Sequence, residues 1–162
     1  SHLGNHPRHN LDLYHRPGDF DRLLAVTFYR RAVDHVGMMV EAHARDRAGK
    51  IVQEAAYATE FALKALLLHV GYSEDWNRRF IGLDLEGTMR HARANGLEPP
   101  SDELERLITP LSDYHRGGRT PDQARAVLTA LPPAEIVETA ATLVADVGTI
   151  TGYAGLLGEE LP

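Results

Sequence analysis

GKIVQEAAYATEFALKALLLHVG, residues 49–71, is the stretch whose reading decides the fold. Apolar side chains at Val52, Ala55, Ala56, Phe61, Ala62, Leu63, Leu66, Leu67 and Val70 recur at steps of three and four. That is the period of a helix with one broad buried face. Ala, Leu, Glu and Lys dominate, and all favour helix. Gly71 can take the left-handed conformation that closes it. So wide a face predicts a central helix touching most of the others. Glu60 and Lys64 sit one turn apart with the acid first, the favourable order for an ion pair along a helix.

Upstream, Phe20 to about Asp46 carries Leu23, Leu24, Val26, Phe28, Val33, Val36, Met39 and Val40 at helical spacing, with Asp19 as its cap. Ala48-Gly49 reads as a tight turn, so the two long helices should form an antiparallel hairpin. Ser1–Gly18 holds His2, His6, His9 and His15 with two prolines and no helical period. It reads as a flexible arm, with a metal-binding tail as the alternative.

Downstream, Tyr72–Ile81 reads as an ordered loop with room for a helical turn, and a third helix spans Asp84–Ala94, ending at Asn95-Gly96. A fourth spans Asp102–Tyr114, with a kink or break near Thr109 because Pro110 lies inside the pattern. Gly117-Gly118 breaks the chain before a short segment around Val127 and Leu128. The last helix begins at Pro133 and runs to about Ala154, followed by a loose tail over 156–162. No alternating strand pattern occurs. The expectation is all-α: one up-and-down four-helix bundle over 19–155 with one or two short extra helices. Phe61, Leu66, Leu107 and Val144 are expected to share one core.

Two segments carry a family resemblance. AAYATEFALKALLLHVG, residues 55–71, resembles the second helix of HEPN domains, with Glu60 and Lys64 on the family's Glu and Lys. LSDYHRGGRTPD, residues 111–122, resembles the family's "L...Y...RYPd" segment at Tyr114, Arg119, Pro121 and Asp122, with Thr120 where many members have Tyr. The resemblance covers roughly residues 19–150. It implies a helical module that dimerises, that binds nucleotides or RNA in some relatives, and that often pairs with a minimal nucleotidyltransferase in two-component, toxin–antitoxin-like systems. Two departures stand out. Leu83-Asp84-Leu85 replaces the His that opens the third helix in many relatives. The ribonuclease branch's Arg, four to six residues, then His is missing from its usual place, since no His follows Arg116 or Arg119.

At 162 residues the chain suits one domain. The net charge of −6 argues against coating nucleic acid by bulk charge, while leaving local basic clusters able to bind phosphate. The absence of cysteine removes disulfides, thiol catalysis and cysteine-based zinc sites. No apolar run nears the roughly 20 residues of a membrane span, and the N-terminus lacks a signal-like apolar core. A cytoplasmic protein without membrane contact and without a cofactor is expected.

Tyr114, His115, Arg116 and Arg119 form the compact polar cluster of mixed chemistry. Two arginines beside an aromatic and a Gly-Gly turn can hold a phosphate and stack a base. Tyr114, Arg116, Arg119, Glu60 and Lys64 are therefore the candidate ligand-binding residues, with Arg116 and Arg119 expected to face one cleft beside the Glu60–Lys64 helix. In the competing structural reading Tyr114 is core and Arg119 braces the bundle through Glu60 or Asp122. No catalytic residue and no metal ligand is assigned. Two alternatives stay open. Arg30 and His35 have ribonuclease spacing on the first helix, and His35, His43, His69 and His91 lie on helices that would need to converge to bind metal. The leading expectation is a non-catalytic HEPN-like binding or interaction module.

Overall fold

The computed structural model describes residues 19–160. The expected Ser1–Gly18 arm lies outside the described residues. Among the described residues eight α-helices run in order: α1 (Asp19–Ala44), α2 (Ala48–His69), α3 (Glu74–Trp76), α4 (Leu85–Ala94), α5 (Asp102–Arg116), α6 (Pro121–Ala130), α7 (Pro133–Thr151) and α8 (Tyr153–Glu160). A π-helical turn, Asn77–Ile81, follows α3. The described residues contain no strand, and the all-α expectation holds.

Helix α2 is central, packing against α1, α4, α5, α6 and α7. Its partner α1 runs antiparallel: His35 lies by Glu54, and Arg31 by Phe61. The turn between them differs from expectation. Asp46 takes the left-handed conformation (φ 54), and the Arg47 amide donates to the Ala42 carbonyl at 2.9 Å. Asp tolerates that conformation better than most residues. The chain therefore reverses over Arg45–Arg47, and Ala48-Gly49 open α2 instead of forming the turn. At the far end Gly71 does turn left-handed (φ 108).

Caps explain the remaining starts. Ser73, Asp84 and Ser101 each accept a backbone N–H three residues on, opening α3, α4 and α5. Thr120 and Gln123 form a reciprocal capping box that makes Pro121–Ala130 a full helix where only a short segment was expected. Helix α5 continues through Pro110 without a break. Pro110 removes one donor, but Leu104, Leu107 and Leu111 on the same helix are buried, and that packing outweighs one missing hydrogen bond.

The chain end also differs. Gly152 turns left-handed (φ 81), ending α7 early, and α8 follows where a tail was expected. Tyr153 anchors it, buried, with its hydroxyl 2.8 Å from His69 Nδ1. Burial pushes the Tyr153 phenol up, while Arg22 pulls it back. Burial, then Arg22, holds His69 below its ordinary value.

Besides a small cluster of Leu67, Tyr72 and Trp76, the interior holds two large adjoining clusters. One holds Leu66, Val144 and Tyr29, with Phe61 packed against it. The other holds Leu107, Met39, Leu111 and Tyr114. Leu107 thus belongs to a separate core from Leu66, because α5 packs over the N-terminal half of α2. Val36 and Ile108 touch both clusters. Among the described residues no single helix is long and apolar enough to cross a membrane.

Candidate functional site

Helix α2 carries Lys50, Glu54, Tyr57, Phe61 and Lys64 at steps of four, three, four and three, so they fall on one stripe. Glu60 flanks it. Helix α1 lays Phe28, Arg31 and His35 alongside, also one stripe. The end of α5 brings His115, and the turn after it brings Arg119. Three elements therefore converge on Tyr57.

Two buried carboxylates anchor this region in the same way. Glu54 Oε1 accepts from His35 Nδ1 at 2.5 Å, and its Oε2 is 2.9 Å from Lys50 Nζ. Glu60 Oε1 accepts from His115 Nε2 at 2.6 Å, and its Oε2 accepts from Lys64 Nζ at 2.9 Å. Each carboxylate takes one lysine from its own helix and one histidine from a neighbouring helix. Burial pushes both acids up, but the histidine and lysine bonds and charges outweigh it and hold both below the ordinary carboxylate value. Such a pair holds two helices in register, and stripping one partner leaves a buried charge unmatched. His115 is only 1% exposed, and its Nδ1 has no hydrogen-bond partner among the described residues.

The rings form a continuous array. His35 stacks on Tyr57 (centroids 5.0 Å apart, planes 25°) and on Phe61 (5.6 Å, 12°). His115 meets Tyr57 edge-on at 5.4 Å and 90°. At one end the Arg119 Cζ lies 4.7 Å from the Tyr57 ring centre. At the other, the Arg31 Cζ lies 5.7 Å from Phe28 and 5.8 Å from Phe61. Both arginines are exposed, while Tyr57, Phe61 and His35 are half-buried. Neither arginine makes an ion pair with any described residue.

Arg119 follows Gly118 (φ 95) and is itself left-handed (φ 57), its amide donating to the Tyr114 carbonyl at 3.0 Å. The suggested brace through Glu60 or Asp122 does not form. Glu60 is occupied by His115 and Lys64, and Asp122 pairs with Arg125. Tyr114 is buried in the second core; burial pushes its phenol up and Arg119 pulls it back. Arg116 goes elsewhere. It is exposed, 3.9 Å from Asp113, and lines an open groove between α5 and α6 with Pro110, Gly117 and Gln123. Glu60 thus joins Lys64 and His115, Arg119 joins Tyr57 beside Tyr114, the His115–Tyr57 contact links the two groups, and Arg116 lies outside.

The helical histidines disperse: His35 to Glu54, His69 to Tyr153, and His91 to Tyr72 and Trp76. No group of three or more His, Asp or Glu side chains is placed to hold a metal among the described residues.

Sequence reasoning missed Tyr57, Glu54, Lys50 and Arg31, and treated Phe61 as core alone. A signal existed: Tyr57 and Phe61 are one turn apart, as are Lys50 and Glu54. Nothing in the sequence pairs Arg31 with Phe61 until the hairpin register is known. No family model, curated protein or solved structure matches this chain.

Proposed function

We propose that this chain is a HEPN-like, non-catalytic helical binding module, and that its site is the Tyr57–Arg119 platform backed by Tyr114, Glu60 and Lys64. It takes a ligand that carries both a phosphate and a flat base: a nucleotide or RNA. Arg119 carries the reading. Its guanidinium lies over Tyr57, is exposed, and has no acidic partner among the described residues. A guanidinium held on a ring keeps its N–H rim free for a phosphate and an outer face free for a base. Glu54 and Glu60 do not repel such a ligand, since each is matched by a lysine and a histidine. Titration calorimetry with adenosine monophosphate tests it. Arg119→Ala should weaken binding by roughly 1–3 kcal/mol, the range of a charge-assisted bond. Equal binding by the wild type and the variant rejects the site.

The HEPN resemblance also supports a homodimer and a nucleotidyltransferase partner. The outer face of α1 supports the dimer: Leu23, Val33, Met38 and Val40 are exposed, Leu23 at 67% and Val40 at 50%. Of the apolar α1 residues beyond one face, Phe28, Val36, Met38 and Met39, only Met38 is exposed; Phe28 and Met39 are core and Val36 is half-buried. Light scattering giving a monomer mass at high concentration rejects the dimer.

One observation favours a second reading, a divergent endoribonuclease. Glu54 holds His35 through Nδ1, which leaves Nε2 to exchange a proton, and His35 sits beside the Tyr57–Arg119 platform. RNA cleavage abolished by His35→Ala establishes this reading, and intact RNA rejects it.

A further inference from the structure

The array on α1 and α2 has two ends, and the proposed nucleotide site uses one. At the second end Arg31 is exposed, lies over Phe28 and Phe61, and makes no ion pair among the described residues. The antiparallel hairpin sets this geometry. Arg31 and His35 are one turn apart on α1, and Phe61 and Tyr57 are one turn apart on α2, in opposite chain directions. The Tyr57 and Phe61 centroids are 6.4 Å apart. The two guanidiniums lie over different rings. Between them lie the half-buried rings of Tyr57, His35 and Phe61, and the buried carboxylates behind them, Glu54 and Glu60, are each paired.

We infer that the stripe from Arg31 to Arg119 is a track for single-stranded RNA, with one nucleotide at each guanidinium. The inference rests on the Tyr57–Arg119 site proposed above and extends it to an oligomeric ligand. A guanidinium lying on a ring offers two things, an outer face for a base and a rim of donors for a phosphate. A nucleotide uses both. An acidic peptide uses the rim alone, so two ring-backed arginines in a row match a polynucleotide better. The overall charge of −6 excludes a broad phosphate-coating surface and fits a track with few phosphate contacts. Two neutralised phosphates on a single strand give a slope of log K against log salt of about −1.4, shallow for an RNA-binding protein.

Fluorescence polarisation with labelled hexa-adenylate, competed by adenosine monophosphate and by a hexa-glutamate peptide, tests this. The hexamer should bind at least about tenfold tighter than the monophosphate. Arg31→Ala should weaken the hexamer about tenfold, keep monophosphate binding at the Arg119 site, and cut the salt slope by about 0.7. Arg31→Lys, which keeps the charge and loses the flat guanidinium, should fall between. Thermal melts of both variants, expected within a few degrees of wild type, separate binding loss from misfolding. Arg119→Ala should weaken both ligands. Equal affinity for hexamer and monophosphate, a hexamer indifferent to both Arg31 variants, or hexa-glutamate competing as well as the hexamer overturns the track. If the monophosphate still responds to Arg119→Ala, only the track fails. If neither ligand responds to Arg119, the underlying site fails with it.

Discussion

The guanidinium of Arg119 rests 4.7 Å from the centre of the Tyr57 ring, while the Arg119 backbone is left-handed at φ 57. That backbone conformation costs a non-glycine residue about 1–2 kcal/mol. An exposed cation over a ring returns about 0.5–1 kcal/mol. The two terms leave arginine no net stabilising role at this position. Arg119→Gly should therefore leave stability unchanged or raise it by up to about 1 kcal/mol in urea unfolding, while losing ligand. A loss above about 1 kcal/mol would mean that Arg119 braces the bundle.

The Glu60 contacts make the opposite prediction. Glu60→Ala leaves Lys64 and His115 buried without an acceptor, and should cost about 3–5 kcal/mol. Replacing Glu60 and Lys64 together by methionine should recover part of that loss, since the lysine charge goes with its partner. Urea unfolding of the single and double variants checks it, and a single-variant loss below about 1 kcal/mol contradicts the buried-pair account.

Acid should act in two stages. His69 lies below its ordinary value of 6.5 when folded, so the unfolded chain takes up that proton first and stability falls as pH drops below about 6.5. Glu54 and Glu60 lie below their ordinary value of 4.5 when folded. Their contribution is complete above about 4.5 and is lost as pH falls through the lower folded-state values. Chemical denaturation across pH 3 to 8 should show both declines, and His69→Gln should remove the first. A flat profile between about pH 7 and 5 in the wild type contradicts the His69 assignment.

Gly148 tests the packing of α1 on α7. A Cβ at that position would run into the Tyr29 hydroxyl, which is held in the first core next to Tyr153. Gly148→Ala should destabilise by about 1–3 kcal/mol through overpacking, despite alanine's better helix propensity. A gain in melting temperature would show that Tyr29 can move aside.

The parts of this fold legible in the sequence are those set by period and punctuation. The central helix α2, the end of α4 at Asn95-Gly96 and the start of α7 at Pro133 all follow from apolar spacing and local caps. The misreadings have local causes. Asp46 took a turn expected of Gly49, the Thr120–Gln123 box lengthened a short segment, and Tyr153 gave the chain end something to pack against. Of the candidate site, Glu60–Lys64 was readable as a one-turn pair. Its completion by His115 was not, because 55 residues separate the partners. The same holds for Arg31 and Phe61. Their contact depends on hairpin register, which the turn residues decide and the apolar pattern leaves open. Arg116 and Arg119 look equivalent in sequence, yet the Gly117-Gly118 turn sends one to the α5–α6 groove and the other to Tyr57.

The most direct test measures binding and stability together on Arg119→Ala. A functional arginine and a bracing arginine predict opposite pairs of results. The account predicts that adenosine monophosphate affinity falls by roughly 1–3 kcal/mol while unfolding stability changes by less than about 1 kcal/mol. A clear loss of stability with no change in ligand affinity would contradict it.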